Sequence, residues 1–211
     1  MQNKPWLATY RENNIPQTID PKAHASVTQM MEEAMARFAD KPAFRAFGQT
    51  LTYAEVDRLS RHFAAWLQYK AGVRKGGRVA VMMPNLLAFP IAMLGIIRAG
   101  GVQVNVNPLY TPHELEHQLC DAGCGAMVVF NGSTPTLAEA IGKSPVNLVL
   151  TVAPGDGTPA ALPSPPVDAR LQGTVSFADA LREGEALPFT PVALDSSDLL
   201  FLQYTGGTTG L

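Results

Sequence analysis

The chain has 211 residues, 46% of them apolar, which is enough for a sizeable core; this excludes wholesale disorder and allows one or two domains at roughly 100–200 residues each. Charged residues make up 16% against a typical ~25%, so part of the surface is expected to pack against something further. A net charge of −2 leaves no basic footprint for nucleic acid, and two cysteines, Cys120 and Cys124, cannot build a secreted disulfide framework and fit a reducing compartment.

The N-terminus lacks the apolar run of a secretory signal, and polar residues continue through Asn14. Ser26 stands where it can cap a helix that carries Val27, Met30, Met31, Ala34 and Phe38 on one face, with the methionines as core filler. Segments 43–47 and 50–53 flank Gly48-Gln49 and read as a short hairpin. Thr52 and Glu55 form a T-x-x-E capping-box pattern that opens a helix to about Lys70. Its apolar stripe, Val56, Leu59, Phe63, Trp66 and Leu67, faces inward.

Residues 79–97 carry no charge and raise the question of a membrane span. Pro84-Asn85 divides them into a strand-like run and a helix-like run over 86–98, neither long enough to cross, so no transmembrane segment is expected. Strand-like runs begin near Val79, Val102, Ala126 and Asn147, at spacings of 23, 24 and 21 residues, with helix-like stretches from Leu86, Pro112 and Pro135 between them. That alternation predicts an α/β fold, βα units layered on a mostly parallel sheet with flanking helices. Pro112 and Pro135 suit first-turn positions, whereas Pro90 falls in the first turns of its helix or at a kink.

Residues 153–172 hold five prolines and read as an extended, mobile excursion or linker. A short helix over 177–182 follows, and 198–204 reads as a buried strand. It runs directly into Thr205-Gly206-Gly207-Thr208-Thr209-Gly210. Glycines let a backbone approach an anion closely, exposed N–H groups form a nest, and threonine hydroxyls add donors, so phosphate is the expected guest. By composition alone the run is equally a flexible tail. It matches neither G-x-x-x-x-G-K-[ST] nor G-x-G-x-x-G.

With Tyr204 in front of it, this run resembles the phosphate-binding signature of the adenylate-forming superfamily, and especially of bacterial long-chain fatty-acyl-CoA synthetases. Four further segments agree in order: Leu51-Thr52-Tyr53-Ala54-Glu55, Met83-Pro84-Asn85, Arg98-Ala99-Gly100-Gly101, and Asn105-Val106-Asn107-Pro108-Leu109-Tyr110-Thr111-Pro112 ending in Glu114-Leu115. The resemblance implies a two-step reaction. A fatty-acid carboxylate attacks the α-phosphorus of ATP, giving acyl-adenylate and pyrophosphate, and the thiol of coenzyme A then displaces AMP. Mg²⁺ and a preorganised donor loop would neutralise the developing charge. It assigns Thr205, Gly206, Gly207, Thr208, Thr209 and Gly210 to the ATP phosphates, with Thr205 nearest the metal.

The same resemblance makes residues 1–211 the N-terminal portion of a large adenylate-forming domain, in an enzyme more than twice as long. The adenine, acyl and coenzyme A sites and the adenylation lysine would lie beyond Leu211, so no catalytic residue is assigned within 1–211 and this stretch alone is expected to be inactive. Its implied partners are fatty acid, ATP and coenzyme A. Its implied place is the cytoplasm, with peripheral association at the inner face of the membrane left open. Two other readings stay open: an aryl- or amino-acid-activating relative, and a non-enzymatic interaction module.

His113-Glu114-Leu115-Glu116-His117 matches H-E-x-x-H, in which two histidines on one helix face bind zinc and the glutamate acts as base. Cys120 and Cys124 fall on the same face at ~100° per residue. Against zinc, Thr111 and Glu114 form a second capping-box pattern, and Gly123 is expected to end the helix before Cys124. No metal is therefore expected there. His24 and His62 have no evident partners in the sequence and are expected at the surface.

Overall fold

A computed structural model describes residues 4–20 and 22–205. Two N-terminal helices, α1 (Trp6–Glu12) and α2 (Val27–Arg37), precede a hairpin of β1 (Pro42–Ala46) and β2 (Gln49–Thr52). Ser26 caps α2, its Oγ accepting from the Gln29 N–H at 3.1 Å. The hairpin turn is Phe47-Gly48 rather than Gly48-Gln49, one residue earlier than the sequence suggests. Both turn residues have positive φ, 50° and 73°, as a two-residue turn matched to strand twist requires. Asparagine would suit the first position better; a phenylalanine hid the register.

Helix α3 (Tyr53–Tyr69) opens on the Thr52–Glu55 capping box: Glu55 N–H donates to Thr52 Oγ1 at 3.2 Å, and Thr52 N–H donates to Glu55 Oε2 at 2.8 Å. Then follow β3 (Arg78–Met82), α4 (Ala88–Arg98), β4 (Val102–Asn105), α5 (Pro112–Ala122), β5 (Ala126–Phe130), α6 (Thr134–Ala140), β6 (Leu148–Val152), β7 (Val175–Ser176), α7 (Phe177–Glu185) and β8 (Phe201–Gln203). Strands β3 to β8 form one sheet, in the order β7-β6-β5-β3-β4-β8, every pair parallel. The expected α/β architecture is present. Helix α4 starts two residues later than expected, so Pro90 is its third residue, in the first turn, where an N–H has no intrahelical acceptor to lose. Among the described residues no helix is long and apolar enough to cross a membrane.

Strand alternation sends side chains to two cores. Val79, Val81, Ala126, Val128, Leu150 and Val152 pack under α3, α4 and α7, while Ala80, Met82, Val104, Met127, Val129 and Val149 pack under α5 and α6. Covering both faces is what a parallel sheet demands. Helices α3 and α4 approach closely at Gly95, where a Cβ would stand 2.6 Å from the Phe63 ring. That ring is fully buried and meets Phe177 edge-on, centroids 4.7 Å apart, so it has little room to yield.

Arg98, the last residue of α4, is fastened to the same layer with a side chain only 1% exposed. Its Nη1 donates to the Asp57 carbonyl at 2.8 Å and to Ser60 Oγ at 2.5 Å, and its Nη2 donates to Asp57 Oδ1 at 2.5 Å and lies 3.3 Å from Glu32 Oε1. Burial pushes the Asp57 carboxyl up, but hydrogen bonds from Arg98 and Arg61 outweigh it and leave the group below its ordinary 3.8.

Two stability predictions follow from this layer. Overpacking costs about 1–3 kcal/mol, more than the ~1 kcal/mol alanine gains over glycine inside a helix. Gly95→Ala is therefore expected to lower the urea midpoint, and Gly95→Val to lower it further; a stabilised Gly95→Ala protein would show that the Phe63 ring gives way. Because the folded pKa of Asp57 is depressed, its contribution is complete above the unfolded value and is lost as pH falls through the folded one. Asp57→Asn should thus flatten the acid limb of the stability–pH curve below about pH 4, and an unchanged limb would refute the pairing.

Candidate functional site

An all-parallel sheet gathers the carboxyl ends of its strands at one edge, and ligands of open α/β sheets sit in a crevice outside that edge. The strand order reverses between β3 and β5, the usual place for such a crevice. Here the residues after β6 cover that region. Asn131, just beyond β5, donates from Nδ2 to Ser164 Oγ at 2.9 Å, and Thr134 Oγ1 accepts from the Asp168 N–H at 3.0 Å. Gly157 lies so close to Ile91 on α4 that a Cβ would stand 2.5 Å from its Cδ1. Asp156 accepts from the Ala153 N–H at 2.9 Å, and burial raises its carboxyl. The proline-rich segment is therefore not a free linker. Its polar side chains and one buried apolar residue, Leu171, fasten it back on the body.

The other side of the edge, beyond β4, is where β8 arrives. It is three residues long and only partly buried, shorter and more exposed than the strand expected over 198–204. The reason is its place: among the described residues β8 pairs with β4 alone, Gln103 opposite Phe201, Val104 opposite Leu202 and Asn105 opposite Gln203. Side chains supply the anchorage that a second neighbour would provide. Lys75 binds Asp198 at 2.8 Å and the Ala193 carbonyl at 2.9 Å, holding the approach to the strand. Asn105 Nδ2 donates to Gln203 Oε1 at 2.7 Å on one face, and Tyr204 Oη donates to Asp121 Oδ2, on α5, from the other. Burial and then the Asp121 carboxylate push the Tyr204 phenol up to about 12, so it stays protonated as the donor.

Thr205 follows directly and is exposed at this edge. Of the residues assigned to phosphate from the sequence, Thr205 alone is described; Gly206, Gly207, Thr208, Thr209 and Gly210 lie outside the described residues. The anchoring roles of Asn105, Asp121 and Gln203 escaped sequence reasoning, although Asn105 heads one of the segments that carry the resemblance. Partners 98 and 83 positions apart leave no local pattern to find them by.

The H-E-x-x-H residues do other work. Glu114 accepts from the Thr111 N–H and Oγ1, both at 2.8 Å, and those bonds hold its carboxyl below the usual range. Helix α5 ends at Gly123 in the left-handed region, as its sequence suggests. Cys124 is buried, which raises its thiol to about 12, while exposed Cys120 donates to the Lys143 carbonyl at 3.1 Å. Among the described residues no three His, Cys, Asp or Glu side chains converge as a metal site would need. His24, without an evident partner in the sequence, stands 3.3 Å from Glu33 Oε2, and burial lowers the pKa of His62.

Comparison with known proteins accords with this arrangement. A long-chain-fatty-acid–CoA ligase of Escherichia coli O6:H1 is 42% identical over 99% of this chain and 39% of its own length. One from Yersinia pestis is 41% identical with the same coverage. The chain thus spans about two fifths of the curated relatives it matches. A crystal structure of a long-chain-fatty-acid-CoA ligase from Archaeoglobus fulgidus superposes with a TM-score of 0.73 at 25% identity, over 92% of this chain and 37% of that one. The family described as AMP-binding enzyme matches residues 31–211, from within α2 through β8 and the Gly/Thr run, and the chain belongs to that family.

Proposed function

We propose that the full-length protein is an AMP-forming long-chain fatty-acid–CoA ligase, and that residues 1–211 are the N-terminal portion of its large domain. The observation that carries the reading is the delivery of Thr205 by a parallel strand to the carboxyl edge of the sheet, at the head of a run of glycines and threonines. The names of the relatives support the substrate class.

In the first step a fatty-acid carboxylate oxygen forms a bond to the α-phosphorus of ATP as the bond to the bridging oxygen breaks, releasing pyrophosphate. In the second, the coenzyme A thiol gives its proton to solvent as its sulfur bonds to the acyl carbon, and AMP leaves with the electron pair of the acyl–oxygen bond. The run Thr205 to Gly210 provides hydroxyl and main-chain N–H donors for the phosphates, and its three glycines admit close approach. The exposed Thr205 hydroxyl is a hard oxygen donor, the kind Mg²⁺ takes as one of about six ligands while phosphate oxygens and waters supply the rest. When bound with ATP, Mg²⁺ would add charge neutralisation at the phosphates. Fatty acid, ATP and coenzyme A are the substrates in this reading, and a cytoplasmic protein touching the membrane surface fits an acyl substrate that partitions into lipid.

The test is kinetic, in the full-length protein. Losing one donor to a developing anion costs about 10²–10³ in rate. Thr205→Ala and Thr209→Ala are expected to lower kcat for acyl-adenylate formation by roughly 10–1000-fold, more than they raise KM for ATP. Gly207→Val should be at least as damaging, while thioester formation from supplied acyl-adenylate should suffer less because pyrophosphate has already left. Residues 1–211 alone are expected to give no fatty-acid-dependent pyrophosphate exchange above a no-enzyme control. Should all three full-length variants fold and adenylate at the wild-type rate, the phosphate assignment fails.

A further inference from the structure

Between β4 and β8 a row of carboxamides runs from the core to the head of the Gly/Thr run. Gln103 Nε2 donates to Asn105 Oδ1 at 2.6 Å, Asn105 Nδ2 donates to Gln203 Oε1 at 2.7 Å, and Gln203 Nε2 donates to the Tyr204 carbonyl at 3.2 Å. From α5, Gln118 Nε2 donates to the Asn105 carbonyl at 2.7 Å and holds that residue's main chain. The direction of the row follows from its end. A main-chain carbonyl can only accept, so Gln203 must turn its nitrogen to Tyr204 and its oxygen to Asn105. Asn105 must then turn its nitrogen to Gln203 and its oxygen to Gln103. Each carboxamide donates at one end and accepts at the other, so the bonds polarise one another in one sense.

Gln103 is fully buried and Gln118 nearly so, and each keeps a side-chain oxygen without a partner among the described residues. Burying such groups is costly, and apolar side chains would fill the same space more cheaply. What the amides supply is orientation. Strand β8 has three residues and one neighbour among the described residues, so few ladder bonds act on its last peptide. The Tyr204–Asp121 bond pins the ring from the other face but does not set the peptide that follows.

We infer that Asn105 is a positioning residue: through Gln203 it orients the Tyr204–Thr205 peptide and so sets where Thr205 presents its donors. The inference rests on the phosphate reading of Thr205. Asn105 touches no substrate in this role; it acts through the amide chain.

Two variants of the full-length protein test it. Asn105→Asp keeps the size and still accepts from Gln103, but it has no donor for Gln203, which must turn its nitrogen to the new carboxylate and release the Tyr204 carbonyl. Gln203→Met, at an exposed position, cuts the same link without adding charge. A misplacement of about 1 Å costs on the order of 10²-fold. Both variants are expected to lose roughly 10–100-fold in kcat for acyl-adenylate formation, with KM for the fatty acid unchanged and the thioester step from supplied acyl-adenylate near wild type. The double variant should lose no more than the worse single one, because both cut one chain. Thr205→Ala, run alongside, separates the two ideas. If it is impaired while N105D and Q203M adenylate like wild type, or if their losses simply multiply, the role of Asn105 is overturned and the phosphate reading stands. If Thr205→Ala also runs at the wild-type rate, the phosphate reading falls and takes this role with it. Where N105D does not fold, Q203M decides by the same split between kcat and KM.

Discussion

The guanidinium of Arg98 is the point from which the rest of the molecule can be followed. A buried cation is tolerated only when it is fully paired, because stripping it of water costs several kcal/mol. Asp57 and Ser60 on α3 and Glu32 on α2 meet that demand together, so three helices must arrive in one arrangement. Helix α4 ends at Arg98, and Ala99, Gly100 and Gly101 carry the chain straight into β4. Strand β4 in turn is the sole partner of β8 among the described residues. The location of Thr205 at the sheet edge therefore depends on a charge cluster that is distant from it in the chain.

The two sides of the carboxyl edge are treated differently. Around β5 and β6 the proline-rich segment folds back through Asn131, Thr134 and Ile91 and covers the place where an open α/β sheet ordinarily takes a ligand. Beyond β4 the edge is left to a short strand held by side chains. Proline lowers the entropy lost when such a segment is ordered, since its φ is already set. A segment with five prolines can therefore lie against the body with Leu171 as its one buried apolar residue. The composition that suggests a mobile linker is also suited to an inexpensive cover.

The H-E-x-x-H pattern in α5 shows how a motif can be absorbed by local structure. The glutamate that would act as a base completes a capping box three residues into the helix, and Cys124 lies past the helix end. Both outcomes were legible, since Thr111, Pro112, Glu114 and Gly123 punctuate the segment as a helix start and stop. The same helix contributes Gln118 and Asp121 to the anchoring of β4 and β8, a use that nothing in its own sequence announces.

By itself the sequence determined the alternation of strands and helices, the capped starts of α2, α3 and α5, the inward stripe of α3, and the glycine–threonine run with its expected affinity for phosphate. These are local properties: period, cap and turn chemistry act within a few residues. The sequence missed the inner face of α2, where Val27 and Met30, read as core-facing, are exposed and Met35 is the buried residue, because α2 packs on the body along a narrow seam. It failed by one residue at the hairpin, where Phe47 takes a left-handed conformation usually left to glycine or asparagine. Only the tertiary structure decided the strand order, the covering of the β3–β5 crevice, the pairing of Arg98 with α2 and α3, and the amide row from Gln103 to Tyr204. Those join residues tens of positions apart, and each polar group finds its partner only after the sheet has brought β4 beside β8, because an amide or a guanidinium carries no mark in the chain of where its acceptor will lie.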